Sequence, residues 1–229
     1  MKPLKEALRR ISPSIYRMSQ NVYTLAIRYG QLRSIRSGEP VAADGTPLPW
    51  YSYPAIEYLD QFDFSARRVF EFGAGNSSLY WANRALELVT VENDAAWFER
   101  VRTAARPNHT LLLRETRNAY VGALAEQSGL FDLIVIDGRW RQSCALAAAD
   151  KLADGGLIVL DNSDKHASVA GSLRGQGFFE TDFSGFGPVN NYTWTTSVFL
   201  RANTRLQQRY GDPVPLAGRG VVIDAEEGD

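Results

Sequence analysis

The segment Val69–Tyr80, VFEFGAGNSSLY, constrains the fold of this chain more than any other part of the sequence. It consists of a short apolar run that ends at Glu71, two glycines one residue apart, and a group of polar residues. The apolar run predicts a buried strand, and Gly73 and Gly75 permit a tight backbone turn. The hydroxyl and amide side chains of residues 76–78 are suited to begin a helix. The segment therefore predicts the strand, turn and helix of a nucleotide-binding fold.

The spacing of the glycines narrows the type of nucleotide. Dinucleotide-binding turns carry a third glycine at the sixth position of the motif, where this chain has Ser78. A second apolar run, LELVTVE, ends at Glu92, which follows Gly75 by 17 residues. A carboxylate at that place can accept hydrogen bonds from both ribose hydroxyls. The missing third glycine therefore argues against a dinucleotide-binding site. Glu92 is still a candidate to bind the ribose of the ligand.

The pattern acid-x-Gly-x-Gly-x-Ser, which runs from Glu71 to Ser77, resembles the first motif of the class I S-adenosylmethionine-dependent methyltransferases. The resemblance extends over residues 50–201 and points to an uncharacterised bacterial group within that family. It implies S-adenosylmethionine as the cofactor, with the glycine turn passing close to the amino-acid part of that molecule. The residues that it assigns to the cofactor are Glu71, Gly73, Gly75, Asn76, Ser77, Glu92, Asn93, Glu115, Thr116 and Asp137.

Strand-like and helix-like segments alternate through most of the chain, which predicts a parallel sheet covered by helices on both faces. The last two strand-like runs, Phe178–Phe186 and Tyr192–Arg201, are separated only by a loop and should pair antiparallel. We therefore expect an α/β fold with a Rossmann-like, seven-stranded, mostly parallel sheet and a C-terminal antiparallel hairpin. That ending is typical of the methyltransferase family.

Charge and composition predict three regions: a basic N-terminal helical arm and linker (1–49), the methyltransferase domain (50–201) and a partly mobile C-terminal extension (202–229). Residues 1–38 contain eight basic residues and one acidic residue, whereas the whole chain has a net charge of −1. Apolar residues recur in the arm at helical spacing, although Pro13 should interrupt the helix. We expect the arm to pack on the domain or on a second copy in a homodimer. Peripheral contact with an anionic membrane or glycan is the alternative, and no specific nucleic-acid partner is expected.

The remaining composition indicates an ordinary enzyme-sized domain. No apolar run approaches the length of a membrane span, and the N-terminus lacks the pattern of a secretory signal. We expect a cytoplasmic protein, with the inner membrane surface as the place of any peripheral contact. The single cysteine, Cys144, rules out a disulfide within one chain and predicts a small buried side chain.

Acidic residues at the ends of two later apolar runs predict the chemical part of the site, because ligands bind at the carboxyl ends of the strands in such sheets. Asp137 ends one run, and Asp161 and Asn162 end the next. These three residues resemble the magnesium site of catechol- and caffeoyl-coenzyme-A-type O-methyltransferases. The resemblance implies Mg²⁺ or Mn²⁺ bound by Asp137, Asp161 and Asn162, holding a substrate hydroxyl for attack on the methyl group.

The sequence departs from that family at the catalytic base. Those enzymes usually carry a lysine shortly after the first aspartate, where this chain has Arg139 and Arg141. Arginine stays protonated and cannot serve as a base, although it can bind an anionic acceptor. Asp164 and His166 are then the candidate bases, beside Asp137, and each can equally be a helix cap or a solvated side chain.

The sequence as a whole favours O-methylation of a small-molecule or glycan-type hydroxyl, with an anionic acceptor as one option. Residues 182–194 are the expected acceptor wall, and the aromatic residues Trp50, Tyr51 and Tyr53 are expected either to cover the cofactor cleft or to pack a helix on the sheet. Two alternatives remain open: a non-catalytic cofactor-binding module and an NAD-dependent oxidoreductase.

Overall fold

A computed structural model describes residue 10 and residues 12–209, and within this part of the chain seven strands form one sheet. The strands are β1 (Arg68–Phe72), β2 (Glu87–Glu92), β3 (His109–Leu113), β4 (Phe131–Ile136), β5 (Leu152–Asp161), β6 (Phe179–Gly185) and β7 (Trp194–Leu200). Their order is β3-β2-β1-β4-β5-β7-β6. The first five are parallel to one another, and β7 lies antiparallel between β5 and β6. The predicted fold class and its C-terminal hairpin are confirmed.

Helices alternate with the strands as the sequence predicted. They are α1 (Pro13–Tyr23), α2 (Gln31–Ser37), α3 (Tyr53–Asp60), α4 (Asn76–Ala82), α5 (Ala95–Arg102), α6 (Arg117–Gly122), α7 (Arg141–Lys151) and α8 (Ala167–Gly175). A π-helical turn, Thr24–Arg28, extends α1, and a 3₁₀ turn, Ser163–Lys165, precedes α8. Pro13 occupies the first turn of α1, where its missing N–H costs no hydrogen bond. Helix α1 thus begins at the proline.

The sheet is buried on both faces, as its parallel strands require. On one face, Phe70 and Phe72 of β1 pack with Tyr120 and Cys144. On the other face, Val69 packs in a second cluster that contains aromatic side chains of α3, α4 and the segment before α3. Cys144 is fully buried, which confirms the role predicted for it. The two clusters fix the sheet, so the turns at the carboxyl ends of its strands are held on a rigid support.

The segment between the arm and the domain lies against the domain. Ala42 and Leu48 are buried in the second cluster. The hydroxyl of Tyr29 donates to Glu57 of α3 at 2.6 Å, and Gln31 Nε2 donates to the Gly187 carbonyl at 3.0 Å. In contrast, α1 has no buried residue. The first nine residues of the basic arm, Ile11, and residues 210–229 of the C-terminal extension lie outside the described residues.

Candidate active site

The turn after β1 depends on two glycines that face each other. Gly73 has a φ of +98°, and a Cβ built on it would lie 2.7 Å from the Cα of Gly138, which follows β4. A Cβ on Gly138 would meet the Tyr120 hydroxyl and the Gly73 backbone. At Gly75, which has an extended φ, a Cβ would meet nothing closer than 3.8 Å. Gly73 is therefore required by the fold, whereas a Cβ at Gly75 would make only ordinary van der Waals contacts with Ser77 and Trp97.

A buried carboxyl group holds this turn from beneath. Glu71 is fully buried, and its Oε2 accepts hydrogen bonds from Ser78 Oγ at 2.5 Å and from Thr90 Oγ1 at 3.0 Å. Ser78 Oγ in turn accepts the backbone N–H of Gly75 at 3.1 Å. Burial raises the pKa of Glu71 to about 8. Glu71, predicted to bind the cofactor, thus lies behind the turn and positions it.

Glu92 lies at the end of β2 and binds the same turn from the side. Its Oε2 accepts the backbone N–H of Ala74 at 2.8 Å, and its Oε1 accepts those of Asn93 and Asp94 at 2.7 and 2.8 Å. A carboxylate oxygen can accept more than one hydrogen bond, so these contacts leave capacity for a ligand hydroxyl. The predicted ribose acceptor is therefore fixed in place by three amides beside the glycine turn.

A narrow cavity of about 100 Å³ lies over the glycine turn. Its walls include Gly73, Gly75, Asn76, Ser77 and Asp137, all of which the sequence assigned to the cofactor. These five residues are thus brought together as predicted.

The roof of this cavity is formed by segments that the sequence did not assign to it. Arg100 of α5 forms an ion pair with Glu39 and lies over the Trp97 ring, 4.7 Å from its centre. The indole N–H of Trp97 donates to the Ala74 carbonyl, and Asn76 Nδ2 donates to the Pro40 carbonyl at 3.0 Å. Little in the sequence indicates that these residues lie at the cavity, because exposed residues such as Glu39 and Arg100 belong to no recognisable motif.

Three other predicted cofactor residues lie at the neighbouring loops, outside the walls of this cavity. Asn93 follows Glu92 and contributes its backbone N–H to that carboxylate. Glu115 and Thr116 follow β3 and are exposed. The Thr116 side chain accepts the Ala119 N–H at 3.4 Å as the cap of α6. The structure therefore gives Thr116 a capping role and leaves Glu115 facing solvent.

Asp137 and Arg141 connect the ends of β4 and β5. Arg141 Nη2 lies 2.9 Å from Asp137 Oδ1, and the same guanidinium donates to the carbonyls of Asp137, Gly138 and Asp161. Burial raises the pKa of Asp137, and the guanidinium of Arg141 opposes that effect. With four of its five N–H donors committed to these acceptors, Arg141 orients Asp137.

Asp161, at the end of β5, is the second buried acid of this region. Its Oδ1 accepts hydrogen bonds from Thr196 Oγ1 at 2.5 Å and from Trp194 Nε1 at 3.1 Å. Within residues 12–209, no hydrogen bond is made to its Oδ2. Burial, followed by repulsion from Asp137, raises the pKa of Asp161. An acid with a raised pKa and an available oxygen is suited to proton transfer.

A second cavity, of about 260 Å³, opens next to the first. It is lined by Trp50, Asp137, Asp161, Asn162, Lys165, Asn190, Tyr192 and Trp194. Trp50 and Asp137 belong to the walls of both cavities. Trp50 is held by a hydrogen bond from its indole N–H to Asn190 Oδ1 at 2.7 Å. The two cavities therefore meet at an aromatic side chain and a carboxylate, with part of the predicted wall 182–194 on the far side.

The two candidate bases proposed from sequence lie beside this second cavity and outside its walls. Asp164 is exposed and accepts the Thr195 N–H at 3.2 Å. His166 is partly buried at the start of α8, and burial together with the charge of Arg141 lowers its pKa. Of the three aromatic residues considered as a cover, Trp50 lies at the cleft, whereas Tyr51 and Tyr53 are buried in the second cluster.

The contacts of the acids do not fit a divalent metal. The guanidinium of Arg141 already supplies the positive charge beside Asp137, and Asp161 Oδ1 is occupied by Thr196 and Trp194. The residues that the structure describes contain no group of three or more His, Cys, Asp or Glu side chains that could hold a metal ion. The magnesium site inferred for Asp137, Asp161 and Asn162 is therefore not supported. The sequence does not indicate that the Arg141 side chain returns to the ends of β4 and β5, where it contacts Asp137 and the Asp161 carbonyl.

Comparisons with known proteins give matches in structure. No family model matches the sequence, and no curated protein is significantly similar to it. The structure is similar to precorrin-6y C5,15-methyltransferase from Geobacter metallireducens GS-15, with a TM-score of 0.51 and 15% identity over 65% of this chain and 88% of that chain. It also matches the N-methyltransferase NodS from Bradyrhizobium japonicum WM9 in complex with S-adenosyl-L-homocysteine, with a TM-score of 0.45 and 15% identity over 59% and 78% of the two chains. A putative methyltransferase from Pseudomonas syringae matches with a TM-score of 0.47 and 21% identity over 65% and 96%.

The first of these similarities, at low identity, is a similarity of fold. In this chain five parallel strands are followed by an antiparallel pair. Within the described residues, no helix is both long enough and apolar enough to span a bilayer. The chain has the Rossmann-like fold of the class I S-adenosylmethionine-dependent methyltransferases.

Proposed function

We propose that this protein transfers a methyl group from S-adenosylmethionine to an oxygen of a small-molecule or glycan-type hydroxyl. The observation that supports the proposal is the junction of two cavities at Trp50 and Asp137. One cavity lies on the glycine turn, and the other is lined by aromatic and acidic side chains. Two ligands bound in them would meet at this junction, which is the arrangement that a group transfer requires.

The residues around the first cavity fit the cofactor. The absence of a side chain at Gly75 would let the backbone approach a ligand closely, and the Glu92 carboxylate, held beside the turn by three backbone amides, would accept the ribose hydroxyls. Bound S-adenosylmethionine supplies an activated methyl group, so the protein's part is to hold and orient the two reactants.

Cofactor entry requires the roof over the glycine turn to move. The cavity of about 100 Å³ is smaller than the roughly 300 to 1,000 Å³ of ligand pockets in general. The Glu39–Arg100 pair that helps to close it is half exposed. Such a surface ion pair contributes at most about 1 kcal/mol. Breaking this ion pair therefore adds little to the free-energy cost of opening the roof.

The second cavity has the character of a site for a hydroxylated, ring-shaped acceptor. Trp50, Tyr192 and Trp194 provide flat apolar surfaces, and Asp137 and Asp161 provide acceptors for hydroxyl groups. Lys165 also lines the cavity, with its Nζ 5.5 Å from the centre of the Tyr192 ring. In the proposed complex Lys165, rather than Arg141, would bind an anionic group of the acceptor.

The acceptor hydroxyl must lose its proton during transfer, and the cavity supplies two carboxylates for it. Asp161 lines this cavity and accepts no hydrogen bond at Oδ2 within residues 12–209, whereas Asp137 Oδ1 is held by Arg141. We favour Asp161 as the proton acceptor and Asp137 as the group that orients the hydroxyl. Asp164 and His166 remain the alternatives proposed from sequence.

The experiment is incubation of the protein with methyl-labelled S-adenosylmethionine and hydroxylated acceptors from cell-envelope extracts. Label should appear in an extract component, and Asp137→Asn should reduce its incorporation. Asp150→Asn, which changes an exposed acid on α7, is the matched control and should leave incorporation unchanged. Cofactor binding without transfer to any acceptor would favour the non-catalytic module. Binding of NAD in place of S-adenosylhomocysteine would favour the oxidoreductase.

A further inference from the structure

Helix α1 presents an apolar stripe to solvent. Ile15, Met18 and Val22, spaced by three and four residues, lie on one face of the helix and are 56%, 65% and 62% exposed. Arg17 lies on the opposite face, and no residue of α1 is buried against the domain. In the elements that follow α1, Ile27, Leu32 and Ile35 are also exposed. Clusters of exposed apolar side chains mark interaction sites.

The charges around the stripe are all of one sign. From residue 10 to residue 38 every ionisable group that is charged at neutral pH is an arginine: Arg10, Arg17, Arg28, Arg33 and Arg36. Arg33 and Arg36 line a groove of about 410 Å³ between the π-helical turn and α2, with Ile27 and Leu32 in the same walls. The groove thus combines apolar walls with cationic groups, as binding of a phosphate headgroup and its acyl chain requires.

We infer that this surface binds an anionic phospholipid bilayer. An amphipathic helix with an apolar face and a cationic polar face lies in the interface of such a bilayer, and α1 has the apolar stripe on one face and Arg17 on the other. Residues 1–38 have eight basic residues and one acidic residue, so the rest of the chain carries a net charge of −8. An anionic surface therefore attracts the arm and repels the remainder of the protein, which orients the molecule with the arm toward the lipid.

Charge also argues against a second copy of the chain as the occupant. Two arms packed through their stripes would bring together segments that carry only positive charges between residues 10 and 38. Like charges at close range oppose such a contact. The bilayer has both the apolar layer for the stripe and the negative groups for the arginines.

The test is sedimentation of the full chain with phosphatidylcholine vesicles, with and without phosphatidylglycerol. We expect binding only to the anionic vesicles and less binding at high salt. Replacing the stripe by Ile15→Gln, Met18→Gln and Val22→Gln should weaken binding on the order of a hundredfold. The matched control is Leu86→Gln with Leu146→Gln, which are 59% and 55% exposed outside the arm and should bind as the parent does.

A pair of single variants tests the charge separately. Arg36→Gln should weaken binding to anionic vesicles about fivefold, whereas Arg106→Gln, exposed after α5, should leave it unchanged. Equal binding of the stripe variant and the parent would overturn the inference. So would a parent dimer that the stripe substitutions convert to a monomer without any change in vesicle binding.

Discussion

The Ser78 hydroxyl donates to the Glu71 carboxyl group at 2.5 Å and, through the same oxygen, accepts the backbone N–H of Gly75 at 3.1 Å. Ser78 thus links the fully buried carboxyl group of Glu71 to the backbone of Gly75, which lines the proposed cofactor cavity. Thr90 joins the same acid from β2, and His109 Nε2 contacts the Thr90 hydroxyl at 3.0 Å. The glycine turn is held by a polar chain that crosses three neighbouring strands.

This buried acid should make the stability of the protein fall as pH rises. The pKa of Glu71 is raised from 4.5 to about 8, so the folded state binds more protons than the unfolded state between these values. The free energy of unfolding must therefore decrease through that range. Glu71→Gln should make the decrease smaller, leaving the part that comes from the raised pKa values of Asp137 and Asp161, and should make the variant more stable than the parent at pH 8, by on the order of a few kcal/mol. Urea unfolding of the ligand-free parent and variant at pH 5 and pH 8 measures this change in the free energy of unfolding. Equal decreases in the parent and in Glu71→Gln would contradict the raised pKa of Glu71.

The two glycines of the turn should respond differently to substitution. Gly73→Ala forces a Cβ into the Gly138 backbone at a positive φ, so it should lower the free energy of unfolding by more than about 1 kcal/mol. Gly75→Val meets no close neighbour in the protein but fills the cofactor cavity, so it should remain folded and lose affinity for S-adenosylhomocysteine. Thermal unfolding and calorimetry give the two readouts. Gly122→Ala in α6, which meets nothing within 4 Å, is the control that should change neither.

The raised pKa values of Asp137 and Asp161 predict how turnover depends on pH. If Asp161 accepts the proton, the rate should rise with pH through its raised pKa, and Asp161→Asn should reduce the rate on the order of a hundredfold or more. Arg141 lowers the pKa values of both acids, so Arg141→Met should move the profile to higher pH, whereas Arg141→Lys should move it less. A profile unchanged by Asp161→Asn, together with a large loss in His166→Ala or Asp164→Asn, would transfer the role to that residue.

Chelation separates an acid-based mechanism from a metal-based one. Because Arg141 supplies the positive charge at the strand ends, turnover in EDTA should equal turnover without it. Added Mg²⁺ or Mn²⁺ should then have no effect. Loss of activity in EDTA with recovery on adding either ion would show that a metal acts at this site.

The fold could be predicted from sequence because its signals are local. Short strand-like runs with an acid at or next to their last residue, such as Glu71 in β1 and Glu92 in β2, indicate both the strands and the edge where their polar ends meet. Helix starts were also readable: Asp94 caps α5 by accepting the Trp97 N–H at 2.8 Å. These features depend on near neighbours in the chain.

The parts of the site that the sequence did not reveal depend on distant contacts. Glu39 and Arg100 form an ion pair across 61 positions, and Trp194 reaches Asp161 across 33. Its residue type excludes Arg141 as a base, but its contacts with three carbonyls result from how α7 returns to the sheet. Such pairings are set by tertiary packing, which no spacing of residue types encodes.

Binding of S-adenosylhomocysteine tests the central claim most directly, because the glycine turn and Glu92 together define the proposed cofactor site. Isothermal titration should show one site per chain in the parent. Glu92→Gln should keep the fold but weaken binding by roughly tenfold to a hundredfold, since one hydrogen bond to a charged group contributes about 1.5 to 3 kcal/mol. Undiminished affinity in a folded Glu92→Gln variant, or no binding to the parent at all, would contradict the account.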